Sequence, residues 1–437
     1  MDKEGKYQPV LHIYFDKSIL VNEDGVESRY EEGRTSEEAK KRLAIIKAAL
    51  ANGFLEKIIL ECQDPGIKIE NLTKGQVDII ESLVNSVTSE VGRALVGLTI
   101  LQLTVKSIHP DQSVRLHKGS TGADFSWKEG IPMRVLDKNH ITPVLRKYNL
   151  LRLNADGFMM TRSLAENYPY SKLYKAAIRG ARQEWLEITD AVETGKLDAE
   201  NALKQLIVFL NNKSEVFLEL TKETINTLNN FLQKEPAFDE CYAAIVRFIE
   251  SSTYSARMFE VAMHALFQVL DDEKCLSGFL KPLSQMRSAN KKHGNIGDIE
   301  LTLTQGNKDI LESWDAKYGK TYLRDELEEL NDKLKMHPET LVAGFVTDQK
   351  PNLKPEITKR TEELELIHET QIHLMDLREW VEYQIDKYQQ NPAEIGPKWL
   401  TAIGESICQL RREIAPIDEP TAEWVESFKV CLKQDNI

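Results

Sequence analysis

The sequence predicts an α/β protein: a sheet-bearing C-terminal core flanked by helices, behind a largely helical α+β N-terminal domain. Three observations carry this. Four strand-like runs, IELTLT (299–304), DILESWDAK (309–317), TLVAGFV (340–346) and QIHLM (371–375), are interleaved with helical stretches. Upstream, apolar residues between about 35 and 235 recur mostly at helical spacing. At 437 residues the chain is too long for one ordinary core. The expected division is 1–235, 236–390 and a helical extension 391–437, with the first junction at KEPAFDE (234–240).

Taken in order, residues 9–21 alternate enough for one or two strands. Thr35 with Glu38 reads as a capping box, followed by Leu43, Ile46, Ala49 and Leu50 and a stop at Gly53. A second helix is predicted over 74–93, with Val77, Ile80, Val84, Val87 and Val91 on one face, and a buried β-branched segment over 95–104. Residues 105–170 are turn-rich and predict short strands or loops. Helical pattern resumes from 171 to about 235, then at 239–251 and 255–270. In the core, a helix at 321–336 separates the second and third strand-like runs, another precedes QIHLM, and a further one starts at Asp376. Two more helices follow 391.

Composition is that of a globular domain, with 41% hydrophobic and 29% charged residues. No apolar run is long enough for a membrane span, and the N-terminus lacks a signal-peptide layout. Five scattered cysteines without a CxxC pair argue against a structural zinc site and for a reducing, cytoplasmic setting. The net charge of −13 speaks against nucleic-acid binding unless charge is segregated, and it is: residues 101–190 hold fourteen Lys/Arg against nine Asp/Glu.

The chemistry concentrates in IGDIELTLTQGNKDILESWDAKYGK, residues 296–320. Asp298 opens one strand, Gln305, Gly306 and Asn307 turn the chain, and the next strand ends in Asp315-Ala316-Lys317. Residues two apart in a strand share a face, so Asp315 and Lys317 point the same way and Asp298 comes alongside. Two carboxylates beside a lysine suit a hard divalent cation, Mg²⁺ above all. Glu300 shares the face of Asp298, and Glu260 on the preceding helix is a further candidate ligand. The plainer alternatives are an exposed Asp315–Lys317 ion pair of little energetic weight, and surface charges at Glu300 and Glu260.

Gly-Asp298-Ile-Glu300 followed by Asp315-Ala-Lys317 resembles the two-part signature of PD-(D/E)XK nucleases, with the helix-strand-strand-helix-strand order of their core. The helix SARMFE upstream and DAKYGK at the strand end bring it nearest to type II restriction endonucleases. The resemblance covers about 250–380. Gly297 replaces the nominal proline, and Asp315 stands where Glu is more usual. The resemblance implies a mixed-sheet nuclease core, Asp298 and Asp315 on Mg²⁺, Lys317 serving the attacking water, and Mg²⁺-dependent site-specific cleavage of double-stranded DNA. It also implies a homodimer and a cognate DNA methyltransferase. A repair or mobile-element nuclease, or a non-catalytic DNA-binding or interaction protein, remains the alternative.

Candidate DNA contacts are the loop Arg287, Lys291, Lys292 and His293, then Lys320, the glycine-flanked Arg115, His117 and Lys118, and Arg162. Lys172, Lys175, Arg179 and Arg182 fall at the spacing of one helical stripe, which suits a phosphate backbone. Tyr168, Tyr170 and Tyr174 read as core. Gly319-Lys320-Thr321 is not a nucleotide-binding loop, because Trp314 occupies the required glycine position. His373, between apolar neighbours in a strand, reads as structural.

Overall fold

The alternation at the N-terminus becomes a three-stranded antiparallel sheet: β1 (Val10–Ile13), β2 (Lys17–Val21) and β3 (Glu27–Glu31), in that order. The computed structural model describes residues 7–87, 90–118, 126–151, 168–174, 180–283, 295–306, 308–410 and 421–434. The chain is α/β, with this sheet and a five-stranded mixed sheet. Its described residues form two compact units, one reaching Phe217 and the other beginning at Leu218.

The first unit continues with α1 (Glu37–Ala51), α2 (Phe54–Glu61), α3 (Lys74–Asn85) and α4 (Glu90–Ile108). The cap of α1 is Ser36, not Thr35: the Ser36 hydroxyl accepts from the Ala39 amide while Thr35 is buried. The helix predicted over 74–93 ends at Asn85, and the buried β-branched segment over 95–104 lies inside α4. Leu95, Val96, Leu98, Ile100, Leu101, Leu103 and Val105 are all buried, so α4 is enclosed around its circumference and shows no one-sided stripe. All-round burial erases the helical period from this part of the sequence.

Where short strands or loops were expected, the described part of 105–170 forms α5 (Met133–Leu136), a π turn (Asp137–Ile141), α6 (Thr142–Lys147) and two isolated bridges, Glu32 to Trp127 and His117 to Ile131. Then come α7 (Arg182–Glu193) and α8 (Ala199–Leu232), within the stretch read as helical.

The second unit takes α8 from Leu218 onward and continues with α9 (Phe238–Ser251) and α10 (Ser255–Asp272). Its sheet runs in the order β4 (Phe279–Leu280), β5 (Ile299–Thr302), β6 (Ile310–Lys317), β7 (Val342–Thr347), β8 (Gln371–Asp376). β4/β5 and β5/β6 are antiparallel, whereas β6/β7 and β7/β8 are parallel. Parallel neighbours need crossovers, supplied by α11 (Arg324–Leu334) and α12 (Pro355–His368).

Leu327, Leu330 and Leu334 of α11 and Ile357 and Leu364 of α12 pack with Ile310, Ala343, Phe345 and Ile372 of the sheet. Pairing Leu301 with Glu312 and Thr302 with Ile310 leaves Leu311 as a bulge. The bulge puts Ile310 in phase with Ser313, Asp315 and Lys317. α13 (Leu377–Lys387) packs on β7 and β8, and α10 on β4, β5 and β6. Trp314 stacks on His373 and meets Trp380 of α13 edge-on. A Cβ on Gly344 would lie 2.4 Å from the Trp314 ring, so only glycine fits opposite it. α14 (Pro392–Ile407) and α15 (Thr421–Gln434) complete the unit. No described helix is long and apolar enough to cross a membrane.

Candidate active site

β5 and β6 are antiparallel, with Ile299 opposite Trp314. One step further, the Asp298 amide donates to the Trp314 carbonyl at 2.9 Å, which brings Asp298 level with Asp315. An Asp298 carboxylate oxygen accepts from the Ala316 amide at 3.0 Å, which fixes the side chain across the end of β6. Gly297 makes this approach possible. A Cβ there would sit 2.7 Å from both the Ser313 hydroxyl and the Trp314 carbonyl, so the residue before Asp298 has no room for a side chain, proline included.

Asp315 is 7% exposed. Burial, reinforced by the charge of Asp298 and by a hydrogen bond between the two carboxyl groups, pushes its carboxyl up to about 8. Lys317 Nζ lies 2.8 Å from Asp315 Oδ2 and over the Phe345 ring at 5.8 Å. Burial pulls the Lys317 ammonium down, but Asp315, Asp298 and Glu326 outweigh it and hold it above the ordinary lysine range. The three residues are thus assembled: two carboxyl groups compete for one proton, and an ammonium leans on one of them. Replacing the shared proton by a divalent cation relieves the repulsion, and two carboxylates with waters and phosphate oxygens make a normal Mg²⁺ set. Among the described residues no group of three or more His, Cys, Asp or Glu forms a ready-made metal cage.

The other candidates are placed as follows. Glu300 is buried, pairs with Lys281 at 2.7 Å and accepts from the Ile296 and Gly297 amides at 2.6 and 3.2 Å. That arrangement buttresses the turn into Asp298. Glu260 pairs with Arg257 at 2.6 Å on α10. Lys320 is 48% exposed and pairs with Glu326. His373 is packed against Trp314, with its Nε2 buried.

The basic residues of the first unit give corrections. Arg115 is 4% exposed, pairs with Asp190, lies 3.9 Å from Glu193 and donates to the Tyr170 carbonyl at 2.6 Å. Lys118 is fully buried and donates to the carbonyls of Gly33, Ser126 and Trp127. Burial, with some help from Arg134, drops the His117 imidazole to about 4. These three do not form an exposed phosphate-binding loop. A buried ammonium needs its full complement of acceptors, and the three carbonyls supply it.

Lys172 lies in a turn, pairs with Glu23 at 3.1 Å, and precedes the helix that Arg182 opens, so the two do not share a helical stripe. Tyr170 and Tyr174 pack edge-on with Trp185, as core residues do. Arg162, Lys175, Arg179, Arg287, Lys291, Lys292 and His293 lie outside the described residues.

Two residues beside Asp315 escaped the sequence reading. Ser313 and Glu326 line, with Asp315 and Lys333, a cavity of about 10 Å³ between β6, β7 and α11. The signal lay in the spacing of Glu326 with Leu330 and Lys333 along the inward stripe of α11. No protein-family model matches the chain, and no curated protein matches it.

Proposed function

We propose that the chain is a Mg²⁺-dependent endonuclease that hydrolyses phosphodiester bonds in double-stranded DNA, with Asp298, Asp315 and Lys317 as its catalytic residues. The observation that carries this reading is the hydrogen-bonded Asp298–Asp315 pair with Lys317 held 2.8 Å from Asp315 at the end of two adjoining strands. Asp298 and Asp315 would hold the cation. Bound there, Mg²⁺ supplies Lewis-acid polarisation of the phosphoryl oxygen. Lys317 keeps its proton at neutral pH, so it acts as a donor: it orients the attacking water and offsets negative charge growing at phosphorus. Asp298 is held by the Ala316 amide, so its carboxylate would be positioned in advance for the cation.

On this reading the protein belongs with type II restriction enzymes, acts as a homodimer so that two sites cut two strands, and is partnered by a methyltransferase that protects the target. Its DNA surface is not the 115–118 segment, whose charges are sequestered. Lys320, exposed and two turn residues beyond β6, is the described cation best placed to meet a flanking phosphate. The test is cleavage of plasmid and phage DNA with Mg²⁺ by the wild type, Asp315→Ala and Lys317→Ala. Discrete fragments from the wild type are expected, with a loss of at least roughly 100-fold in either variant. Undiminished cleavage by Asp315→Ala would remove the site assignment.

A further inference from the structure

The first unit carries a cavity of about 250 Å³ that the nuclease reading does not use. It opens between the β2–β3 turn, α3, the turn at 171–173 and α7. One wall is apolar, made of Leu20, Ile79, Leu173 and Ala191, and no aromatic ring lines it among the described residues. Charge of both signs lines the rest. Arg115 is 4% exposed and commits Nη1 to Asp190 and the Tyr170 carbonyl. Its Nη2 has no hydrogen bond among the described residues. Half-buried Glu187 accepts one hydrogen bond, from the exposed Gln183 at 3.0 Å, and has no cation against it among the described residues. At the rim Lys172 pairs with Glu23 at 3.1 Å and Lys196 with Asp24 at 2.8 Å. The Asn22 side-chain oxygen accepts from the Asp24 and Val26 amides at 3.0 and 2.8 Å, which holds the turn that carries both acids.

These groups select a ligand by its charge. An anion would sit among the carboxylates of Glu23, Asp24, Glu187 and Asp190. A cation would meet Arg115, Lys172 and Lys196. An apolar molecule would cover Arg115 Nη2 and the Glu187 carboxylate without giving either a partner, which is costly. A nucleobase would find no aromatic face to stack on. A small zwitterion with an apolar body meets every condition. Its carboxylate accepts from Arg115 Nη2, its ammonium donates to Glu187, and its body covers the apolar wall. We propose that this cavity binds a free α-amino acid with an aliphatic side chain. The site is independent of the nuclease reading, since Asp298, Asp315 and Lys317 lie in the other unit.

The experiment is isothermal titration calorimetry of the full chain, without DNA or metal, with L-leucine and with two analogues that each lack one charge. The first, 4-methylpentanoate, has no ammonium, and the second, 3-methylbutylamine, has no carboxylate. L-Leucine is expected to bind saturably, and each analogue at least about tenfold more weakly, because each leaves one charged partner in the cavity unmatched. Glu187→Gln keeps the shape of a half-buried side chain, and it should weaken leucine at least about tenfold while leaving 4-methylpentanoate unaffected. Glu184→Gln, on the same helix but outside the cavity, should bind leucine as the wild type does. No saturable binding of leucine overturns the proposal. So does an analogue that binds as tightly as leucine, equal binding by Glu187→Gln, or cytidine or adenosine binding more tightly than leucine. The analogue comparison uses the wild type alone, so it stands whether or not the variants fold.

Discussion

At Asp315 the sequence motif and the physics of burial meet in one measurable quantity. In the fold this carboxyl is held protonated up to about 8, because burial and Asp298 both oppose its charge, whereas in the unfolded chain it ionises near 3.8. The folded form therefore binds more protons between those values, and stability contributed by this group falls as pH rises from 3.8 to 8. Asp315→Asn, which cannot ionise, should leave the melting temperature of the metal-free protein nearly unchanged below pH 4. At pH 8 it should raise it, by roughly 2–4 °C for each kcal/mol relieved. Thermal melts at the two pH values check this, and an equal effect at both would mean that Asp315 is not strained by its surroundings. The residue scale also shows what a motif cannot convey. Lys118 and Lys320 are both lysines beside glycine, yet one is fully buried on three carbonyls and the other half-exposed at a turn.

At the scale of elements, legibility followed periodicity. Four of the five strands of the C-terminal sheet and the helices between them were readable, whereas the two-residue β4 was too short to show a period; Asp376 caps α13 reciprocally with Glu379, and a positive φ at Gly306 marks the turn between β5 and β6. α4 was unreadable as a helix because its burial is all-round. The cavity behind Asp315 was unreadable because it depends on how α11 lies across β6 and β7. Asp298, Asp315 and Lys317 could be paired from strand order, whereas Glu326 needed the helix's placement. The same packing logic yields a prediction at Gly344. A Cβ there meets the Trp314 ring at 2.4 Å and the His373 carbonyl at 2.8 Å, and the indole is wedged between His373 and Trp380. Gly344→Ala should cost on the order of 1–3 kcal/mol, read as a lowered denaturation midpoint. Because Trp314 precedes Asp315, cleavage should fall further than the lost stability accounts for. A variant with wild-type midpoint and activity would show that β6 and β7 separate freely to admit a methyl group.

At the scale of the whole molecule, two units each carry a core of their own. The first gathers Leu43, Ile59, Leu101 and Trp185, and the second gathers Ile310, Leu330, Phe345 and Ile372 with their helices. Among the described residues of the first unit, several basic side chains are paired: Arg115 with Asp190 and Lys106 with Glu193 in buried or half-buried positions, and Lys172 with Glu23 and Lys196 with Asp24 at the surface. Part of the basic excess of residues 101–190 is thus tied up within that unit rather than being wholly available to a polyanion. Separate cores imply separate unfolding, and the candidate site lies wholly in the second unit. Calorimetry of the full chain should resolve two transitions. Ca²⁺ is a hard ion that seeks carboxylate oxygens, and at a free concentration 100 times its Kd it should stabilise the unit that binds it by about 2.7 kcal/mol. Only one transition should move, and Asp315→Ala should abolish the shift while both transitions persist. If Ca²⁺ moves both transitions together, or moves the same one in Asp315→Ala, the ion is bound elsewhere or the units unfold as one, and the assignment of the cation to the end of β6 fails with it.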